Sequence, residues 1–265
     1  MITVVEPGWA STVQDLGRPG YAHLGVSPGG MVDPALGTLV NRLVGNPGGA
    51  PLIETCGGIV LRSARPLLLA SSVEAAPFTL GAGDTYRMPP ATERLWHYVA
   101  VRGGLTVEPV LGSASTDTMA HLGPAPLAAG DQFVVGPDPR TELTLDVAAL
   151  PAPNPTARCT AGPRADWFAP GWPRELARAA LTVADVSRVG VRLAGVELRR
   201  TRGDELPSEG LVRGAIQAPP GGELVMMLAD HPTTGGYPVV AVVHPDDVAN
   251  VAQQRPGGLV RLRVL

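Results

Sequence analysis

Residues 224–244 read LVMMLADHPTTGGYPVVAVVH. Two apolar runs flank a loop that, from His231 to Pro238, holds two Pro, two Thr and two Gly. Each run is short and ends at turn-forming residues, so both read as strands. The loop reads two ways. As a hairpin turn, its Thr hydroxyls would cap backbone groups. As the wall of a ligand site, Gly235 and Gly236 would let backbone N–H groups approach a bound molecule closely.

The same pattern continues outward along the chain. GIVLRS (58–63), PLLLAS (66–71), WHYVAVRG (96–103) and QFVVG (132–136) are further short strands bounded by Gly, Pro or polar residues. Three segments repeat one device: LGAGDTYRM (80–88), LAAGDQFVV (127–135) and QRPGGLVRL (254–262). In each, a Gly permits a turn and an inward candidate follows three residues later, Tyr86, Phe133 or Val260. The fold class is therefore mainly β, of barrel or sandwich type.

Helices are few and short. In DPALGTLVNRLVGN (33–46) Asp33 is an N-cap, Pro34 fits the first helical position, and Leu36, Leu39, Val40 and Leu43 form one stripe closed by Gly45. PRELARAAL (173–181) and PDDVANVAQQR (245–255) are two more. ALPAPNPTAR (149–158) reads as an extended linker, which divides the chain into two β-rich halves, 1–150 and 151–265.

Composition excludes several classes. With 265 residues, 45% of them hydrophobic, the chain can bury real cores. A net charge of -3 gives no basic footprint for nucleic acid, and no apolar run reaches membrane-span length. Two cysteines and an N-terminus without a signal-peptide pattern fit a reduced, cytoplasmic setting. All 21 basic residues are arginine. These residues therefore offer no P-loop lysine, no Schiff base and no attachment point for biotin or lipoate.

The five histidines (23, 97, 121, 231, 244) form no HxxxH or HxH pair and there is no CxxC, so no metal site is expected. GVSPG (25–29) matches the nucleophile-elbow spacing, but Pro28 lacks the N–H that an oxyanion hole needs there, so Ser27 is not a triad nucleophile. No GxGxxG joins a strand to a helix. Cys56 reads as a small strand-end residue. The richest stretch is STVQDLGRPGYAHLGVSPGGMVDP (11–34), a long glycine-rich segment carrying Gln14, Asp15, Gly17, Arg18, Tyr21 and His23. Arg18 could clamp a carboxylate or simply pair with Asp15 across a turn.

Several of these segments occur together in one order: TVQDLGRPGYAHLGV, VNRLVGN, IETCGG, VLGSAST, LAAGD, SEGLVRGAIQAPPGG and LADHPTTGGYPVVAVV. Over nearly its whole length the chain resembles the family that includes KipA, the C subunit of 5-oxoprolinase, allophanate hydrolase subunit 2 and the biotin-dependent carboxyltransferase domain of urea carboxylase. The resemblance implies cyclophilin-like β-barrel architecture. It implies a hydrolase subunit that works only with two partners, the KipI-like B subunit of 5-oxoprolinase and its LamB/YcsF-like A subunit. Together these would open 5-oxoproline to L-glutamate, with ATP used by the complex. One alternative is carboxyl transfer to urea or a similar amide from carboxybiotin carried on a partner. Another is a non-catalytic regulator that binds a KipI-like partner. The resemblance also makes QDLGRPGY and TTGGYP expected ligand walls, with a site between the two halves. Asp15, Arg18, His23 and Asp230 are then the catalytic candidates. Gln14, Gly17, Tyr21, Thr233, Thr234, Gly235, Gly236 and Tyr237 are the substrate-binding ones. Two departures stand out: Ser187 precedes Arg188 where the family often has Asp or Asn, and PGG (256–258) replaces PGD.

Overall fold

Alternation along the strands sorts side chains to opposite faces, and in the computed structural model those faces close apolar cores. Residues 1–89, 93–143, 147–150, 152 and 154–265 are described. The chain divides into two compact units, Met1–Arg18 with Gly29–Ala152, and Pro19–Pro28 with Pro153–Leu265.

Among the described residues the first unit holds ten strands: β1 (Ile2–Glu6), β2 (Thr12–Gln14), β3 (Leu52–Thr55), β4 (Val60–Ser63), β5 (Leu67–Ser71), β6 (Pro77–Leu80), β7 (Thr85–Arg87), β8 (His97–Val101), β9 (Leu105–Thr106) and β10 (Gln132–Val135). They form two antiparallel five-stranded sheets, ordered β7-β4-β1-β10-β9 and β2-β3-β8-β5-β6. Both contribute to one apolar core, with Ile2, Val4 and Leu61 from the first sheet and Ile53, Leu69, Val99 and Val101 from the second. The opposite face of the second sheet is covered as well. Leu52, Ala70, Tyr98 and Ala100 pack there against helix α1 (Pro34–Leu43) through Leu36, Val40 and Leu43. Burial on both faces explains why β8 is buried at every position. The α1 start is capped as expected, with Leu36 N donating to Asp33 Oδ1 at 3.1 Å. Gly83 and Gly130 both take positive φ and lead into Tyr86, which is buried, and Phe133, which packs partly buried on the same core.

The second unit is a closed seven-stranded barrel. Its strands are β11 (Thr156–Ala161), β12 (Leu181–Val186), β13 (Gly190–Ala194), β15 (Ala215–Gln217), β16 (Leu224–Met227), β18 (Val239–Val243) and β19 (Leu259–Val264). A separate pair, β14 (Glu209–Gly210) with β17 (Thr234–Gly235), stands outside it. The barrel order is β11-β18-β15-β16-β13-β12-β19, and β11 and β19 close it by pairing in parallel, Thr156 opposite Arg261 through Cys159 opposite Val264. Helix α2 (Trp172–Arg178) and helix α3 (Val248–Ala252) complete the unit.

Four sequence readings change. The run 224–244 is no hairpin, because β15 lies between β16 and β18 and bonds to both. That three-residue strand sits in a Gly/Pro-rich region with no periodicity to announce it. The linker reading of 149–158 ends early, since β11 begins at Thr156; Pro151 and Pro153 lie outside the described residues. The helix expected over 173–181 spans Trp172–Arg178, and Leu181 already starts β12. The helix expected over 245–255 is a 3-10 turn, Pro245–Asp247, followed by five α-helical residues.

Candidate functional site

In the first unit, strand β2 runs directly into Asp15 and Arg18, and the loop 110–117 folds over them. Asp15 does not pair with Arg18. Its Oδ1 accepts from Gly17 N at 2.7 Å, Ser113 Oγ at 2.6 Å and Ser115 Oγ, and its Oδ2 accepts from Ala114 N at 2.7 Å. A carboxylate holding four donors is an anchor, and here it fixes the 113–115 turn and the Gly17 turn together. Arg18 is 1% exposed. Its Nε donates to Val110 O at 3.2 Å and its Nη2 to Ser115 O, while Nη1 has no acceptor among the described residues. No carboxylate among them forms an ion pair with it. Gln14 donates to Thr12 Oγ1 and to Thr116 O, each at 3.0 Å. The backbone of this loop is tight: Leu111 and His121 both take positive φ without being Gly. A Cβ on Gly123 would meet Ser115 O at 2.2 Å.

Tyr21 and His23 lie in the segment that groups with the second unit. Tyr21 precedes a 3-10 turn (Ala22–Leu24) that contains His23, and their rings stack at 6.5 Å between centroids. His23 is exposed, with Nδ1 3.1 Å from Gly20 O.

Also in the second unit, Asp230 is fully buried and takes a bidentate contact from Arg188, Nε to Oδ2 at 2.9 Å and Nη2 to Oδ1 at 2.8 Å. This buried pair ties the start of the TTGGYP loop to the turn after β12 and leaves Asp230 facing a permanent cation. Beyond it, Thr233 O accepts from Leu211 N, and Thr234 and Gly235 pair with Gly210 and Glu209. Part of the loop backbone that could cradle an oxyanion is thus already in a ladder. Space at Gly235 is tight: a Cβ there would sit 2.6 Å from Gln217 Nε2 and 2.8 Å from Leu211 Cδ1, so both side-chain ends would have to shift. Gly236, Tyr237 and Pro238 line a cleft of about 420 Å³ together with Trp167, Arg200 and Glu205, a size within the range of small-molecule sites.

Ser113, Ser115, Thr116, Arg188, Trp167 and Arg200 were not singled out as site residues in the sequence. The loop VLGSAST carried a signal, three hydroxyl residues within four positions, but its contact with Gln14, Asp15 and Arg18 spans some hundred residues. Among the described residues no three His, Cys, Asp or Glu side chains gather as a metal set, and no helix is long and apolar enough to cross a membrane. Cys159 is buried, which pushes its thiol up to about 11 and keeps it protonated at neutral pH.

Comparison with known proteins gives this geometry a lineage. The family model for the carboxyltransferase domain, subdomains A and B, matches residues 24–264. The chain is 32% identical to the C subunit of 5-oxoprolinase from Escherichia coli (strain K12), across 96% of this chain and 87% of that protein. It is 29% identical to urea amidolyase of Lachancea kluyveri, where 97% of this chain matches only 16% of the larger protein. Among solved structures, the crystal structure of TTHA0988 superposes with a TM-score of 0.87 at 35% identity, covering 98% of this chain and 55% of that one. The chain, mainly β with one closed barrel, belongs to the carboxyltransferase-domain family of subdomains A and B.

Proposed function

We propose that this chain is one subunit of an ATP-dependent 5-oxoprolinase, the part that holds 5-oxoproline while the assembled complex opens the lactam to L-glutamate. The observation that carries this reading is Arg18, a buried guanidinium that, among the described residues, has one nitrogen lacking an acceptor and no carboxylate ion-paired with it. Taking a charge out of water without a counter-charge costs several kcal/mol, and an anionic ligand offsets that cost. The carboxylate of 5-oxoproline is such an anion, and the near-full-length likeness to the C subunit of 5-oxoprolinase supports it as the choice.

The remaining candidates divide by what their atoms already do. The oxygens of Asp15 are occupied by backbone and hydroxyl donors, and those of Asp230 by Arg188. Both serve as positioning groups in this proposal. His23 is the proton-moving candidate, since its ring is exposed and the contact it makes is through Nδ1. Gly17 turns the chain with φ 85 so that Arg18 can fold back under the loop. Thr233, Thr234, Gly235, Gly236 and Tyr237 are the substrate-binding candidates of the second unit, with Gly236 and Tyr237 open to its cleft. ATP, consumed by the complex, would activate the lactam oxygen. This chain's share is to bind, orient and exclude water. The KipI-like B subunit and the LamB/YcsF-like A subunit are the proposed partners, and a cytoplasmic site of action is proposed with them.

A second reading is favoured by the carboxyltransferase family model itself and by the likeness to urea amidolyase. In it the same groups would receive carboxybiotin from a partner chain, these residues having no lysine to carry biotin. The two readings separate in one experiment. Glutamate release from 5-oxoproline and ATP is measured with this protein and its neighbouring subunits, omitting each in turn. Activity that requires this chain and is lost in Arg18→Ala, with the fold intact by circular dichroism, supports the first. Carboxyl transfer to urea from free carboxybiotin, with no glutamate release, replaces it with the second.

A further inference from the structure

Three buried side-chain atoms have no hydrogen-bond partner among the described residues and belong to residues joined through one piece of backbone: Gln14 Oε1, Arg18 Nη1 and Thr116 Oγ1. Their residues are 0%, 1% and 1% exposed. They are knitted to the same short piece of chain. Arg18 Nη2 donates to Ser115 O, Gln14 Nε2 donates to Thr116 O at 3.0 Å, and Thr116 N donates to Val13 O at 2.9 Å. Adjacent residues of a chain have Cα atoms about 3.8 Å apart, so the carbonyls that hold Gln14 and Arg18 are neighbours. Buried polar groups in native proteins are almost always satisfied, and a local concentration of exceptions calls for a cause. Here the three differ in kind: a cationic donor, an amide acceptor, and a hydroxyl that can play either role.

We infer that Thr116 and Gln14 are specificity-determining residues that, with Arg18, select a carboxylic acid bearing an adjacent amide N–H. The acid oxygens accept from Arg18 Nη1 and from the Thr116 hydroxyl, and the N–H donates to Gln14 Oε1. A plain amide or urea leaves the guanidinium unmatched, and a plain acid leaves the Gln14 oxygen unmatched. A site built to hydrogen-bond a group discriminates strongly against analogues that lack it, because its own buried groups then stay unpaired. The inference rests on the reading that Arg18 receives an anion, and it adds the residues that choose among anions.

The test begins with the ligand-free protein. Since the Thr116 hydroxyl has no partner among the described residues, Thr116→Val removes an unsatisfied buried group, and Tm stays the same or rises. A hydroxyl with a structural role would instead make Tm fall by several degrees, which overturns the inference. The second arm measures ligand protection of the assembled complex without ATP, using 5-oxoproline, 2-pyrrolidinone (amide without acid) and cyclopentanecarboxylate (acid without N–H). 5-Oxoproline protects at concentrations about tenfold lower than either truncated probe. In Gln14→Met, 5-oxoproline and cyclopentanecarboxylate become equal, and in Thr116→Val the affinity for 5-oxoproline falls about tenfold while Thr116→Ser restores it. Equal protection by all three probes, no protection by any, or wild-type affinity in Thr116→Val each overturns it. This ranking needs no turnover, so a complex that releases no glutamate refutes the oxoprolinase reading while leaving the selection of ligand to be decided by the probes.

Discussion

Arg188 and Cys159 show what burial does to single side chains in the barrel unit. Arg188 and Asp230 are 3% and 0% exposed and joined by two hydrogen bonds. Arg188→Ala takes the cation and its two hydrogen bonds away from a buried carboxylate, and urea unfolding is expected to show a loss of about 3–5 kcal/mol. A loss below about 1 kcal/mol would mean the pair behaves like a surface contact. Cys159 acts through burial alone, which raises its thiol from 9.0 to about 11. The folded state therefore prefers the protonated form. The stability this contributes is complete below pH 9 and is lost as pH rises toward 11. Thermal unfolding between those pH values should fall more steeply for the wild type than for Cys159→Ala; parallel curves would show that the thiol does not titrate as its burial dictates. Resemblance made Asp230 a candidate site residue, but nothing in the sequence paired it with Arg188, because partners 42 residues apart leave no local pattern.

Between residue and domain, the loop 110–123 is the element on which the candidate site hangs. It supplies the carbonyls that hold Gln14 and Arg18 and the hydroxyls that hold Asp15. Its backbone is strained at Leu111 and His121 and leaves no room at Gly123. Gly123→Ala would press a methyl onto the Ser115 carbonyl and also place Ala at φ 74. The expected outcome is a rise in KM for 5-oxoproline of about tenfold or more, with a smaller change in kcat, since the lost order lies in binding. Unchanged kinetics would show that Ser115 does not set the Arg18 geometry. Long periodic elements were readable in advance: α1 with its Asp33 cap, β8, and the strand entries after Gly83, Gly130 and Gly257 all follow from local chemistry. The two-residue strands β14 and β17 and the three-residue β15 were not, because two or three residues carry no period. For the same reason the candidate site around Arg18 was visible only from its QDLGR side, and the half made of VLGSAST was read as part of a resemblance without a role.

At the scale of the whole chain, the two units differ in how they are completed. The first gathers its strands into two sheets over a shared core. The barrel unit depends on β19, which pairs with β11 on one side and β12 on the other. Removing residues 259–265 deletes the strand that joins β11 to β12 in the barrel order. It also removes Val260 and Leu262, both buried in the core. Such a truncation is expected to abolish the cooperative unfolding of the second unit and to leave two bare strand edges prone to aggregation. Retention of a native-like near-ultraviolet circular dichroism spectrum would show the barrel tolerates an open seam. That closure was not legible in the sequence. A parallel pairing between Thr156 and Arg261 joins segments about a hundred residues apart, and both read only as short alternating runs.

The parallel seam has a further consequence in time. A chain emerging from the ribosome presents β11 long before β19, so while the hundred or so residues between them are made the edge of β11 has no parallel neighbour and β12 lacks one flank. N-terminal units can fold as they appear, and the sheets built from residues 2–135 take no strand from later in the chain. The barrel must wait until residue 264 is free. Synthesis rate, and whatever shields an open strand edge during that interval, therefore bear on the yield of the second unit far more than on the first.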